Sequence, residues 1–143
     1  GRGVDKEVWG EADVPPGWQG CARALVGALL REECAELFAE PVTEEEAPGY
    51  FDVVDTPMDF GTIQQRLAGS GPAGAAYPPT PAGYAAFLAD VGLVWANCKM
   101  YNEPDSPVME DCEATRRLFQ RLAKQQGLPL KPGANVQGGG GAG

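Results

Sequence analysis

Asn97-Cys98-Lys99-Met100-Tyr101-Asn102 runs straight into Glu103-Pro104-Asp105-Ser106-Pro107-Val108, and the fold is read from that junction. Upstream, Tyr84, Phe87, Leu88, Val91, Val94, Trp95, Cys98 and Tyr101 recur at helical spacing. Pro104 biases the residue before it away from helix, so the helix ends near Asn102. Ser106-Pro107 is a cap followed by a proline suited to the first turn of the next helix. An aromatic and an amide therefore stand at the rim of whatever the helices enclose. Locally, Asn102 has two readings: a helix C-cap, where Asn is favoured, or the polar anchor of an apolar pocket.

Working outward, three more segments have helical signatures. Trp18, Cys21, Ala22, Leu25, Val26, Leu29, Leu30, Leu37 and Phe38 form an inward stripe ending at Pro41, which predicts about five turns over 17–38. Asp59 is suited to cap a short helix over 59–68 that carries Phe60, Ile63 and Leu67. Thr80-Pro81 opens the central helix, 81–102, which Gly83 and Gly92 weaken by about 1 kcal/mol each unless tight packing requires them. Ser106-Pro107 opens the last, 107–126, with Val108, Cys112, Thr115, Phe119 and Leu122 on one face. Its acidic residues come early and its basic ones late, as the helix dipole favours.

Residues 39–58 are broken by Pro41, Pro48-Gly49 and Pro57, yet carry Val42, Tyr50, Phe51, Val53, Val54 and Met58. A connection so long and so apolar is expected to pack and to serve function. Residues 68–80 are small, breaker-rich and without period, which predicts a surface loop with no chemistry. Residues 1–15 and 127–143 read as a flexible leader and a Gly-rich tail around one domain, 16–126. The lack of an initiator Met suggests a piece of a longer protein. The fold class is all-α, a four-helix bundle with a long packed loop between its first and second helices.

Composition removes whole classes of function. The 143 residues contain no histidine, which takes away the commonest general base and metal ligand. Cys21, Cys34, Cys98 and Cys112 lack zinc-ligand spacing and fall on apolar faces, so they read as reduced thiols inside a cell. No metal or cofactor is expected, and no apolar run is long enough to span a membrane. The net charge of −9 argues against direct nucleic-acid binding and for a basic partner. Glu44, Glu45 and Glu46 in the long loop, with Glu103 and Asp105 after Asn102, read either as a solvated face or as a rim that steers a lysine-rich peptide.

Four stretches in order then carry a resemblance: Glu40-Pro41-Val42, Ala47-Pro48-Gly49-Tyr50-Phe51, Pro57-Met58-Asp59-Phe60 and Asn97 to Asn102. From about Trp18 to Gln126 the chain resembles a bromodomain, the acetyl-lysine-binding module of chromatin proteins. In the spacing from Val42 to Tyr50 it is most similar to those attached to GCN5-related histone acetyltransferases. The resemblance implies a left-handed bundle and assigns roles. Asn102 would donate to the acetyl carbonyl, and Tyr50 would reach the same oxygen through a water. Phe38 and Val42 would line the pocket, Ala47 and Tyr101 would contribute, and Val108 would gate the mouth. Asn97 would tie the long loop to the third helix. One departure stands out: Glu36-Leu37-Phe38 replaces the family's frequent Trp-Pro-Phe, which alters contacts beside the pocket.

The expected function is a nuclear, monomeric, non-catalytic reader of acetylated lysine in histone tails or other chromatin proteins. A parent protein could carry a separate catalytic domain. One alternative is a scaffold that has kept the fold but binds acetyl-lysine weakly or not at all. Another is an enzyme, which the missing His, phosphate loop and nucleophile motif disfavour.

Overall fold

The side-chain caps expected from sequence all form. Asp59 accepts the Thr62 N–H at 2.8 Å, Thr80 the Gly83 N–H at 3.1 Å and Ser106 the Met109 N–H at 3.2 Å. Each satisfies a donor left free at a helix start, worth about 1 kcal/mol. The computed structural model describes residues 8–70 and 76–133. They contain helices α1 (Trp18–Leu29), α2 (Tyr50–Val53), α3 (Phe60–Ala68), α4 (Pro81–Tyr101) and α5 (Pro107–Gln125), with 3-10 segments at Glu11–Asp13 and Glu33–Phe38. No strand occurs among the described residues.

Four helices close a ring: α1 packs on α3 and α5, and α4 packs on α3 and α5. The expected all-helical bundle is thus the fold. Its centre is aromatic. Trp18 meets Tyr84 edge-on at 5.1 Å, and Phe119 bridges Phe87 and Phe60 at 6.3 and 6.4 Å. Leu25, Val26, Leu29, Ile63, Val91 and Val94 fill the space around them. Each such side chain contributes about 1.5–3 kcal/mol when taken out of water. Gly83 is required by packing, since a Cβ there would stand 1.8 Å from the Pro78 carbonyl oxygen, whereas Gly92 faces open space.

The structure corrects several expectations. The first helix does not run to Phe38. It ends at Leu29, and the chain resumes as a 3-10 turn after an extended Glu32. Glu32, Glu33 and Glu36 would crowd the negative end of a continued helix. The Cys34 carbonyl instead accepts from the Thr115 hydroxyl of α5 at 2.8 Å. Leu37, assigned to the inward stripe, is 53% exposed. In the long loop Tyr50 and Val54 are buried, but Phe51 and Val53 are exposed. On α5 the buried face also holds Met109 and Ala123, while Val108 and Leu122 are only partly buried.

The loop 68–80 is not only surface. Tyr77 is buried against Trp18 and Phe87, and its hydroxyl donates to Asp90, which also pairs with Arg66 at 2.7 Å. The described parts of the expected leader and tail pack as well. Trp9 meets Tyr84 edge-on, the Tyr84 hydroxyl donates to the Pro129 carbonyl, and the Gly133 N–H donates to Asp13. Residues 1–7 and 134–143, where the leader and tail were also expected, lie outside the described residues.

Candidate functional site

A cavity of about 520 Å³ opens between the long loop and the ends of α4 and α5. Asn102, Tyr50, Val42, Phe38, Ala47, Tyr101 and Val108 all line it, so the residues singled out from sequence converge on one place. Three devices hold the loop over it. Asn97, 2% exposed, donates from Nδ2 to the Thr56 carbonyl at 2.8 Å, the tie expected of it. The Tyr101 hydroxyl donates to the Pro48 carbonyl at 2.8 Å. The Gly61 N–H at the start of α3 donates to the Ala39 carbonyl at 3.1 Å. The loop's two ends and its middle are thereby fixed to the helices beneath it.

Asn102 is the last residue before the chain leaves α4, with φ −104° and ψ 151°. Its side-chain Nδ2 donates to the Cys98 carbonyl at 3.0 Å, and its backbone N–H reaches the same oxygen. The cap reading is therefore realised. The bond also fixes the plane of the amide. The same nitrogen lies 3.6 Å from the Cys98 sulfur, a weak acceptor. Beyond the Cys98 carbonyl, the NH₂ group has no stronger acceptor than that sulfur among the described residues.

Tyr50 is 6% exposed and packs edge-on against Tyr101 at 5.2 Å. Its hydroxyl finds no protein partner among the described residues. Burial, with the neighbouring Cys98 thiol second, raises its pKa above the ordinary 10.0. The hydroxyl is thus a neutral donor and acceptor throughout the physiological range. Phe38, Val94 and Cys98 are also buried, so the interior is mostly apolar, with Tyr50, Asn102 and the buried Asp59 as its polar side chains. Behind the wall the Cys98 thiol donates to the Met109 sulfur at 3.6 Å. The neighbouring Cys98 thiol, together with burial, pushes the Cys112 thiol far up. All four cysteines are free thiols.

The acidic residues divide differently from the expectation. Of the five assigned to a steering rim, only Glu46 lines the cavity. Glu46 accepts the Thr43 N–H at 3.2 Å, the Thr43 hydroxyl accepts the Glu46 N–H, and Glu44 accepts the Gly49 N–H at 2.8 Å. These two glutamates build the loop. Glu45, Glu103 and Asp105 are exposed and outside the cavity lining. Sequence reading missed Met58, Val94 and Cys98 as lining residues. Val94, Cys98 and Asn102 are spaced by four along α4, a signal that one face of that helix turns toward the anchor. Among the described residues no cluster of side chains is arranged to hold a metal, and no helix is long and apolar enough to cross a membrane.

Comparison with known proteins fits this geometry. A family profile described as bromodomain matches residues 21–114. The SWR1 complex bromodomain subunit bdf1 of Schizosaccharomyces pombe is 31% identical over 125 residues, covering 84% of this chain and 19% of that protein. The tyrosine-protein kinase BAZ1B of Mus musculus is 36% identical over 108 residues, covering 76% of this chain and 7% of that protein. The chain spans less than a fifth of either relative. The solved bromodomain of human BAZ1A superposes with a TM-score of 0.66, covering 76% of this chain and 94% of that one. At 20% identity that likeness is one of fold.

Proposed function

The chain belongs to the bromodomain family, and from that membership we propose that it reads acetylated lysine in histone tails or other chromatin proteins, without catalysis of its own. The observation that carries the reading is the pairing of Asn102 and the unpartnered Tyr50 hydroxyl in one apolar cavity. Acetylation turns an ammonium into a neutral amide on an aliphatic stem. The stem suits Phe38, Val42 and Val94, and the carbonyl accepts from the Asn102 amide. Tyr50 reaches the same oxygen through a water, and Val108 limits the mouth.

Discrimination comes mostly from rejection of the free ammonium. Taken into this slot unpaired, it would cost several kcal/mol in lost hydration. The one buried carboxylate in the lining, Asp59, is already engaged by Thr62 through both oxygens, at 2.8 and 2.7 Å. The direct bond to Asn102 is worth about 1 kcal/mol net, so an affinity on the order of micromolar is expected. The exposed Glu44, Glu45, Glu103 and Asp105 add long-range attraction for a basic tail. One relative is named as a subunit of the SWR1 complex, and a nuclear, monomeric module of a chromatin protein is the setting that this reading implies.

Calorimetric titration of the 143-residue chain with an acetylated and an unmodified histone-tail peptide tests the reading. Binding is expected only for the acetylated form. Asn102→Ala is expected to remove it with the melting transition retained, and Tyr50→Phe to weaken it. Equal binding of both peptides would leave only charge attraction. No binding to any acetylated peptide would favour the scaffold alternative.

A further inference from the structure

Four carboxylates line the cavity: Glu36, Glu40, Glu46 and Asp59. Asp59 is engaged by Thr62 and Glu46 by Thr43. Glu36 and Glu40 are different. Both are exposed, and neither makes an ion pair or side-chain hydrogen bond among the described residues. In sequence they stand on either side of Phe38, and they line the same cavity as Asn102 and Val108. No lysine or arginine lines the cavity. The cavity lining therefore carries two exposed carboxylates that have no protein partner among the described residues. A second observation points to a ligand: Tyr50 lines the same cavity, is 94% buried, and its hydroxyl has no protein partner among the described residues.

Resting on the acetyl-lysine reading above, we infer that Glu36 and Glu40 are specificity determinants that hold an unmodified lysine or arginine close in sequence to the acetylated lysine. Their charge complements a cation that stays in solvent at the rim while the neutral acetyl-lysine enters the apolar interior. An arginine suits them best, because its planar fork can donate to a carboxylate through two N–H groups. The preferred partner is then a basic segment acetylated at one lysine. A second acetyl group on the neighbouring lysine removes the charge that Glu36 and Glu40 hold, and so lowers affinity.

The test uses the full chain and synthetic Gly/Ser peptides with one acetyl-lysine. Each position from three before to three after is made arginine or glutamine in turn. Arginine is expected to bind about threefold to tenfold more tightly than glutamine at one or two positions, the range for a pair of exposed contacts. In the double variant Glu36→Gln/Glu40→Gln that ratio is expected to fall to about one. Raised salt should shrink the ratio in the unmodified protein. A ratio near one at every position overturns the inference, as does a preference that survives the double variant. An equal loss in Glu103→Gln/Asp105→Asn would make net charge the cause and overturn it too. Failure to bind any acetylated peptide, neutral-flanked ones included, would instead overturn the acetyl-lysine reading, and the inference with it.

Discussion

Substitution of Asn97 separates the long loop from the helix that positions it. The Asn97 amide is buried and donates to the Thr56 carbonyl at 2.8 Å. Thr56 itself is exposed, so its carbonyl can rehydrate once the donor is gone. Asn97→Ala then loses a net hydrogen bond worth about 1 kcal/mol, with up to about 1 more for the small void. The total is about 1–2 kcal/mol. Asn97→Asp keeps the shape but sets a carboxylate against a carbonyl oxygen with no donor between them. It should cost more, about 2–4 kcal/mol. Urea unfolding followed by tryptophan fluorescence measures both, with the slope checked for constancy. The same variants, while still folded, should bind an acetylated peptide at least about threefold more weakly, because Val42, Ala47 and Tyr50 sit on the freed loop. An Asp variant as stable as the Ala variant would refute the donor role of Asn97. Loss of stability with unchanged affinity would refute its role in placing the pocket.

Two glycines of α4 should respond in opposite directions. Gly83→Ala drives a Cβ into the Pro78 carbonyl and should destabilise by about 2 kcal/mol or more, whereas Gly92→Ala, in open space, should stabilise by about 0.5–1 kcal/mol; thermal melts decide both signs. Alkaline stability follows from three tyrosines. Burial raises the pKa of Tyr50, Tyr77 and Tyr84 above 10.0, so above that pH the unfolded chain releases phenol protons that the folded chain keeps. The unfolded state then binds fewer protons, and stability falls as pH rises, by up to about 1.4 kcal/mol per pH unit for each tyrosine. These tyrosines contribute no slope between pH 6 and pH 9. The Cys112 thiol, also raised, adds a fall that starts at about pH 8.5, so in a Cys112→Ala background a fall in urea midpoint that began below about pH 9 would contradict the tyrosine account.

The caps, the bundle and the cavity residues were legible because each rests on local chemistry. Asp59, Thr80 and Ser106 can cap wherever the following residues form a helix. Asn102 and Tyr50 are polar groups at the edges of apolar stretches, where a role is easiest to see. The break after Leu29 was not legible, because apolar spacing continues through Leu37 and Phe38. What stops the helix lies partly in tertiary structure, in the Thr115 hydroxyl that takes the Cys34 carbonyl. Tyr77 was hidden in a low-complexity stretch, and only the placement of Trp18, Phe87 and Asp90 shows why it is buried. Glutamates 44 and 46 looked like surface charge. Their bonds to Gly49 and Thr43 show that charge also shapes the loop.

The central claim is that the Asn102 amide meets the acetyl carbonyl. Amide-resolved NMR of the ¹⁵N-labelled chain, titrated with N-acetyl-lysine amide and separately with lysine amide, measures it without any help from flanking charge. The account predicts that the Asn102 side-chain NH₂ resonances, assigned by their loss in Asn102→Ala, move progressively with the acetylated compound and stay fixed with lysine. Asn102 resonances unmoved by either, or moved equally by both, would contradict it.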